Sequence, residues 1–228
     1  MLKTLQNAFK IKEVREKLLY TFFMLVVTRI GSQLPIPGVN TTFFQELFTR
    51  QSNDAFGFFN TITGGSFTNM SVFALSITPY ITSSIIMQLL TIAIPKLEEM
   101  QQEGEDGRKK IAEYTRYLTV ALALMQSVAM AIGFGGKGLL VEFTALNVIL
   151  AIVTMTAGSA MVMWIGERIT ENGVGNGISI VLLFNIISTM PSDMITLYER
   201  FLQGKIVAVA VVTAVIIVAV IVAMVVFV

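Results

Sequence analysis

Residues 58–90 read FFNTITGGSFTNMSVFALSITPYITSSIIMQLL, and the reading of this stretch decides the fold. It belongs first to an aromatic segment, Phe56–Ile62, which is too short to cross a bilayer and is broken by Gly64-Gly65. It then enters an apolar stretch, Val72–Ile94, long enough to do so, since roughly 20 mainly apolar residues span the hydrocarbon core. This stretch is unusually polar for a span. Ser71, Ser76, Thr78, Thr82, Ser83, Ser84, Gln88 and Thr91 interrupt it, and Pro79 lies in its interior. Proline lacks the backbone donor and clashes with the preceding turn, so a kink is predicted there. Polar side chains at membrane depth call for interior partners or water. Ile77, Ile81 and Ile85 recur at i, i+4 and i+8 and predict an apolar stripe on one helical face. A channel-lining helix has this pattern, and so does a helix packed centrally in an ordinary bundle.

Upstream, the region Phe43–Ser71 carries Phe43, Phe44, Phe48, Phe56, Phe58, Phe59 and Phe67. Exposed apolar clusters of this kind need a partner surface. Two readings fit: a short re-entrant or cavity-filling segment, and an external loop lying on the bilayer. Irregular backbone is tolerated at membrane depth only inside protein or beside a water-filled cavity.

Further outward, five more stretches are apolar enough to count as spans: Leu18–Leu34, interrupted by Arg29; Tyr117–Phe134; Ala145–Gly166; Val174–Met190, which is short; and Ile206–Val228. The composition agrees. Hydrophobic residues make up 54% of the chain and charged residues 14%, against about 25% charged in soluble domains. The chain is therefore expected to be an all-α integral membrane protein of about six transmembrane helices, with no soluble domain. The polar, basic stretch Met1–Lys17 precedes a segment that runs into Pro35 and Pro37 rather than a small-residue cleavage site, which predicts a retained, signal-anchor-like first span. The chain ends at Val228 on an apolar residue with no polar flank, as expected of a piece of a longer protein.

Lysine and arginine placement sets orientation. Lys3, Lys10, Lys12, Arg15 and Lys17 precede the first span; Lys96, Arg108, Lys109, Lys110 and Arg116 follow the second; Arg168 follows the fourth. Only Arg50, Lys137, Arg200 and Lys205 fall on the other side. The amino terminus and the charged second loop, Pro95–Glu113, are thus expected to be cytoplasmic. That loop reads as a solvated face that could also serve as a docking surface.

Several chemistries are excluded by composition. Without cysteine or histidine there is no disulfide framework, no thiolate site, no cysteine nucleophile and no usual base near neutral pH. No pair of intramembrane carboxylates is available for an intramembrane enzyme, and Arg29 alone is charged within a span core, whereas coupled transporters commonly carry intramembrane acids. A secondary transporter or small-solute channel remains the alternative class. Gly133-Phe-Gly-Gly-Lys-Gly138 lacks the Ser or Thr, the spacing and the strand of a phosphate loop, and predicts an external turn. Gly173-Val-Gly-Asn-Gly177 suits a tight turn or a close helix contact. Gln126 and Asn185, isolated in their spans, predict hydrogen bonds between helices.

Four ordered strings carry a resemblance: RIGSQLPIPGV (29–39), the stretch 58–90, EGEDGRKKIAEYTRYLT (103–119) and MWIGERITENGVGNGISI (163–180). Together they resemble the bacterial SecY family, colinearly through nearly the whole chain. The resemblance implies ten spans in two pseudo-symmetric halves around an hourglass pore, of which this chain supplies spans one to six. On this division 1–17 is a cytoplasmic segment, 18–194 holds spans one to five with a plug at 55–67, and 195–228 is an external loop with span six. Half of a lateral gate and the later cytoplasmic docking loops are then absent from the chain.

The resemblance further implies a plug, with Phe56, Phe58, Phe59, Asn60, Ile62, Gly64 and Gly65 in it, sealing the closed channel from outside. It implies a pore ring at Ile77, Ile81 and Leu182, with leucine where the family usually has isoleucine, and lateral-gate residues at or near Thr82 and Gln126. Arg108, Lys109 and Lys110 fall in the cytoplasmic loop. The implied function is passage of secretory polypeptides across, and release of membrane proteins into, the bacterial plasma membrane. The implied partners are SecE, SecG, the ATPase SecA, the ribosome, signal sequences, unfolded preproteins and membrane lipid. No catalysis, cofactor, metal or directly bound nucleic acid is implied.

Overall fold

The computed structural model describes residues 11–42, 45–46 and 54–202, and among these every regular element is a helix. Strand pairing is limited to two isolated antiparallel bridges, Pro35–Ser71 and Val39–Leu140. The chain divides into two compact units, Met1–Ile186 and Ile187–Val228. Phe43, Phe44, Phe48 and the expected sixth span, Ile206–Val228, lie outside the described residues.

Helix α1, Lys12–Gln33, contains most of the first expected span and begins well before it. Its charged start is a run of good helix formers supported by the i,i+4 pairs Lys12–Glu16 and Glu13–Lys17. Every eighteen-residue stretch of α1 includes Glu16, Lys17 and Arg29, so it falls outside the helices apolar enough to cross a membrane by composition. Helix α2, Asp54–Ile62, is short. Gly64 and Gly65 follow it with φ of +67° and +81°, a region that favours glycine, so the pair stops the helix as expected.

The expected span Val72–Ile94 needs correction. Helix α3 covers only Thr78–Ala93, and Val72–Ile77 forms buried turns instead. Pro79 therefore lies in the first turn of α3, where its missing donor costs nothing, and the predicted mid-span kink is not there. The sharp change of direction comes at Pro95, where α4, Pro95–Gln102, turns away from α3 by 102°. The Ile77, Ile81 and Ile85 stripe changes accordingly. Ile77 precedes the helix and is fully buried, Ile81 is half-buried, and Ile85 is exposed.

The charged segment Pro95–Glu113 is also corrected, from a loop to two helices. Apart from a break at Glu103-Gly104, it is α4 followed by the opening turns of α5, Glu105–Phe134, which carry Arg108, Lys109 and Lys110. Glutamate, lysine, arginine and glutamine are strong helix formers, and Gly104, at φ +90°, supplies the turn between the two helices. A wide turn at Gly135–Leu139, with Gly138 at φ +106°, leads to α6, Ala145–Asn172. Helix α7, Gly177–Leu202, is longer than the short fifth span expected and carries Pro191 inside it. The part of α7 in the second unit exposes Ile187, Met190, Met194 and Ile195. By length and composition α5 and α6 can cross a membrane, and α3 with α4 makes a third candidate as a bent pair.

Helix α5 is the centre of the packing, lying against α3 and α6. Its buried residues Thr115, Thr119, Ala123, Ser127 and Ala131 recur every fourth position, a seam of small side chains that lets helices approach closely in an apolar medium. Two hydroxyl pairs cross that seam: Ser83 of α3 with Thr119, and Ser127 with Thr156 of α6 at 2.9 Å. One apolar cluster gathers Ile36, Phe67, Met70, Leu75, Leu139 and Met155. A second gathers Phe73, Ile77, Val162, Ile165, Ile169 and Val181.

Candidate functional site

The turns from Thr63 to Ile77 form a buried plate that organises the first unit. Thr63, Ser66, Phe67, Met70 and Ser71 are all buried. The backbone of the plate is met locally: Asn60 Oδ1 accepts from the Thr68 amide at 3.1 Å, the Asn60 carbonyl accepts from the Gly65 amide at 2.9 Å, and the Ser66 carbonyl accepts from the Ser71 amide at 3.0 Å, while Thr68 Oγ1 is buried without a hydrogen-bond partner among the described residues. Buried backbone groups must be paired in this way or cost heavily. The Phe59 and Phe67 rings meet edge to face at 4.8 Å, which holds the end of α2 to the plate. Phe58 instead is 70% exposed. The side chain of Phe56 lies outside the description; Asn60, Ile62 and Gly65 are half-buried and Gly64 is buried.

Long-range side-chain hydrogen bonds fix this plate at Gly64 and Ser76. Arg29 Nη1 of α1 donates to the Gly64 carbonyl at 2.8 Å. Ser76, at φ +51° and buried, is met from two helices: Ser159 Oγ donates to its carbonyl at 3.2 Å, and Asn185 Nδ2 donates to its Oγ at 3.1 Å. Asn185 thus makes a hydrogen bond, though to a turn and not to another helix as expected. Gln126 makes no side-chain hydrogen bond to a described residue, contrary to expectation. It is half-buried and lines an apolar cavity of about 400 Å³ with Phe59, Phe67, Leu75, Met130 and Phe134.

Ile77, Ile81 and Leu182 come together, but unequally. Ile77 is fully buried and points toward α6, where a Cβ added at Gly166 would lie 3.5 Å from its Cδ1. Ile81 and Leu182 pack on the same cluster and also line a cleft of about 360 Å³ between α3 and the start of α7, beside Ser84, Asn176 and Ser179. Thr82 is exposed, and its hydroxyl donates to the Thr78 carbonyl at 3.1 Å. Thr82 and Gln126 therefore do not share either cavity.

At the charged end of the helices, Arg108, Lys109 and Lys110 are exposed, with Lys109 3.9 Å from Asp106. Arg116 of α5 pairs with Glu167 of α6 at 2.8 Å. Arg168 pairs with Glu171 at 2.7 Å and stacks over Trp164, 5.6 Å from its ring centre. The α6–α7 connection is as close as the glycines at 173–177 suggested: a Cβ on Gly177 would lie 2.1 Å from the Gly166 carbonyl, and Gly175 takes φ +66°. Among the described residues no group of three carboxylate, imidazole or thiol side chains could hold a metal ion. The geometry among the described residues is that of a packed polar–apolar plate beside two clefts.

Residues 71–228 match the family model described as SecY. The chain belongs to the SecY family. The protein translocase subunit SecY of Halalkalibacterium halodurans is 42% identical over 89% of this chain and 47% of its own length. That of Pseudomonas aeruginosa is 40% identical over 96% of this chain and 49% of its own, and that of Bacillus subtilis 41% over 87% and 46%. The chain spans about half the length of the curated SecY relatives it matches. Two solved structures share the fold at TM-score 0.56 and 21% identity, covering 88% of this chain and 46% of theirs. They are described as Sec61 in the canine ribosome–channel complex from the endoplasmic reticulum and as the structure of a protein conducting channel.

Proposed function

We propose that this chain forms one half of a protein-conducting channel in the bacterial plasma membrane, through which secretory polypeptides cross and from which membrane segments leave sideways into lipid. The observation that carries the reading is the family membership of a chain whose apolar isoleucine and leucine side chains, Ile81 and Leu182, line an open cleft. Completed by the part of the protein beyond this chain, those side chains and Ile77 make a constriction. Aliphatic side chains suit that role because they hold a passing chain by no hydrogen bond or charge, and a narrow apolar ring resists wetting and ion leakage.

The segment 55–67 is the plug on this reading, supported by the contacts that seat its end on the buried plate. Thr82 and Gln126 belong to the wall of the lateral gate, and a signal sequence entering there shifts a closed–open equilibrium. Gln126 beside an apolar cavity suits a wall that takes up hydrophobic segments. The chain carries no reaction of its own and needs no cofactor, so the energy for transport comes from partners: the ATPase SecA or the ribosome, with SecE and SecG completing the membrane complex. Family membership leaves the transporter alternative without support.

A photoreactive residue at Ile81, in the full-length protein assembled with SecE, tests this against a stalled secretory precursor. A crosslink to the mature part of the precursor is the expected result. Active translocation with no crosslink at Ile81 would remove it from the polypeptide path.

A further inference from the structure

We propose that Asn185 is a positioning residue that anchors the pore ring and the plug junction to one point on α7, so that the constriction and its seal loosen together. The proposal rests on the channel reading above. Asn185 is 4% exposed and lies on α7 one turn after Leu182, so the two side chains share a helical face. Its Nδ2 donates to Ser76 Oγ at 3.1 Å, and Ser76 directly precedes Ile77. One hydrogen bond therefore ties the turn that carries one ring residue to the helix that carries another.

Ser76 is 2% exposed and holds φ at +51°, a region that residues other than glycine keep only where their surroundings hold them. Ser159 of α6 donates to its carbonyl and Asn185 of α7 to its hydroxyl, so different groups tie the turn to each helix. The same Asn185 also seats the plug junction. A Cβ on Gly64 would lie 3.1 Å from the Asn185 Cβ and 3.2 Å from its Cα and carbonyl oxygen, so the Gly64 backbone lies directly on residue 185. A plug that withdraws takes Gly64 off Asn185 and gives its side chain room to turn from Ser76. Widening at Ile77, conversely, draws Ser76 from Asn185 and loosens the seat of Gly64. Other contacts of Asn185 do not enter, because the linkage needs only that the Ser76 bond and the Gly64 packing meet at one residue.

The test is the resting potassium leak of vesicles that hold the full-length protein assembled with its partners, measured per channel present and beside translocation of a secretory precursor. Ser76→Ala removes the hydroxyl and keeps the backbone bonds of the turn. It is expected to raise the resting leak about fivefold, the factor that one hydrogen bond makes in a closed–open equilibrium. Asn185→Ala is expected to raise it at least as far. The double variant should rise no further than Asn185→Ala alone, because both changes remove the same bond. A purely structural role would lower accumulation and leave the leak per channel unchanged. Should Asn185→Ala not accumulate, Asn185→Ser, with a side chain too short to reach Ser76, takes its place with the same direction expected. Parental leak in the single variants, with precursor still crossing, overturns the anchor and leaves the channel reading standing. A double variant whose leak is the product of the singles does the same. A parent that passes no precursor overturns the channel reading and the anchor with it.

Discussion

Gly158→Ala should damage the first unit more than any change of one methyl group elsewhere on α6. A Cβ at this position would lie 1.9 Å from the Val72 carbonyl oxygen and 2.8 Å from its carbon. Ordinary C···O contact is about 3.3 Å, so α6 and the plate would have to separate by roughly 1.4 Å. Both partners are backbone, which leaves no rotamer to relieve the clash. Overpacking of this kind costs about 1–3 kcal/mol. The neighbouring Ser159–Ser76 hydrogen bond, at 3.2 Å, would lengthen with it and remove about 1 kcal/mol more. Against this stands the helix-propensity gain of alanine over glycine, about 1 kcal/mol. The net loss is about 1–3 kcal/mol, a factor of roughly 5 to 150 in the folded ratio. The assay is membrane accumulation and heat-induced aggregation of the full-length protein, beside Gly133→Ala, where nothing lies within 4 Å and only the propensity gain should register. Equal behaviour of the two variants and the parent would refute the reasoning, because it would mean α6 does not press on Val72.

Removing the α3–α5 hydroxyl pair by Ser83→Ala and Thr119→Val should show a coupling of about 0.6 kcal/mol in a double-mutant cycle in detergent or lipid; strictly additive losses would mean the two hydroxyls share no bond. Arg116→Gln should weaken the α5–α6 association by about 1 kcal/mol at low salt and less at high salt, read as protease susceptibility of that end, and a salt-independent loss would point to packing instead of charge. Gly177→Val should prevent α7 from seating on α6, since even a Cβ meets the Gly166 carbonyl at 2.1 Å. It should therefore abolish accumulation, and normal levels would show that the α6–α7 turn gives way cheaply.

The helical, membrane-embedded character of the chain was legible because it follows from averages over some 20 residues: apolar stretches, basic flanks and glycine turns survive small errors of boundary. The two corrections arose where a single residue type carries two meanings. Pro79 reads as a kink if the helix is already under way and as a helix start if it is not, and nothing local to Val72–Ile77 announced that those apolar residues would form turns with Ser76 at positive φ. On polarity the charged segment 95–113 reads as a solvated loop, whereas its composition of strong helix formers prevails. At the site, Asn185 was anticipated because an isolated amide in an apolar helix demands a partner. Arg29 on Gly64 and Ser159 on Ser76 were not, since the acceptors are backbone carbonyls and carry no side-chain signal. The every-fourth small residues of α5 were present in the string from Thr115 to Ala131 and could have identified its buried face.

That seam bears on how α5 can move. Large interdigitated side chains resist every displacement alike, but a row of alanine, serine and threonine presents a nearly smooth track with hydroxyl rungs at Ser83–Thr119 and Ser127–Thr156. Sliding along the track must break both rungs together and regain them only after a whole turn, about 5.4 Å on. Rolling about the track can leave both rungs in place. Helix α5 is thereby a rocker and not a piston, held against sliding by both rungs and freer to roll about its row of small side chains.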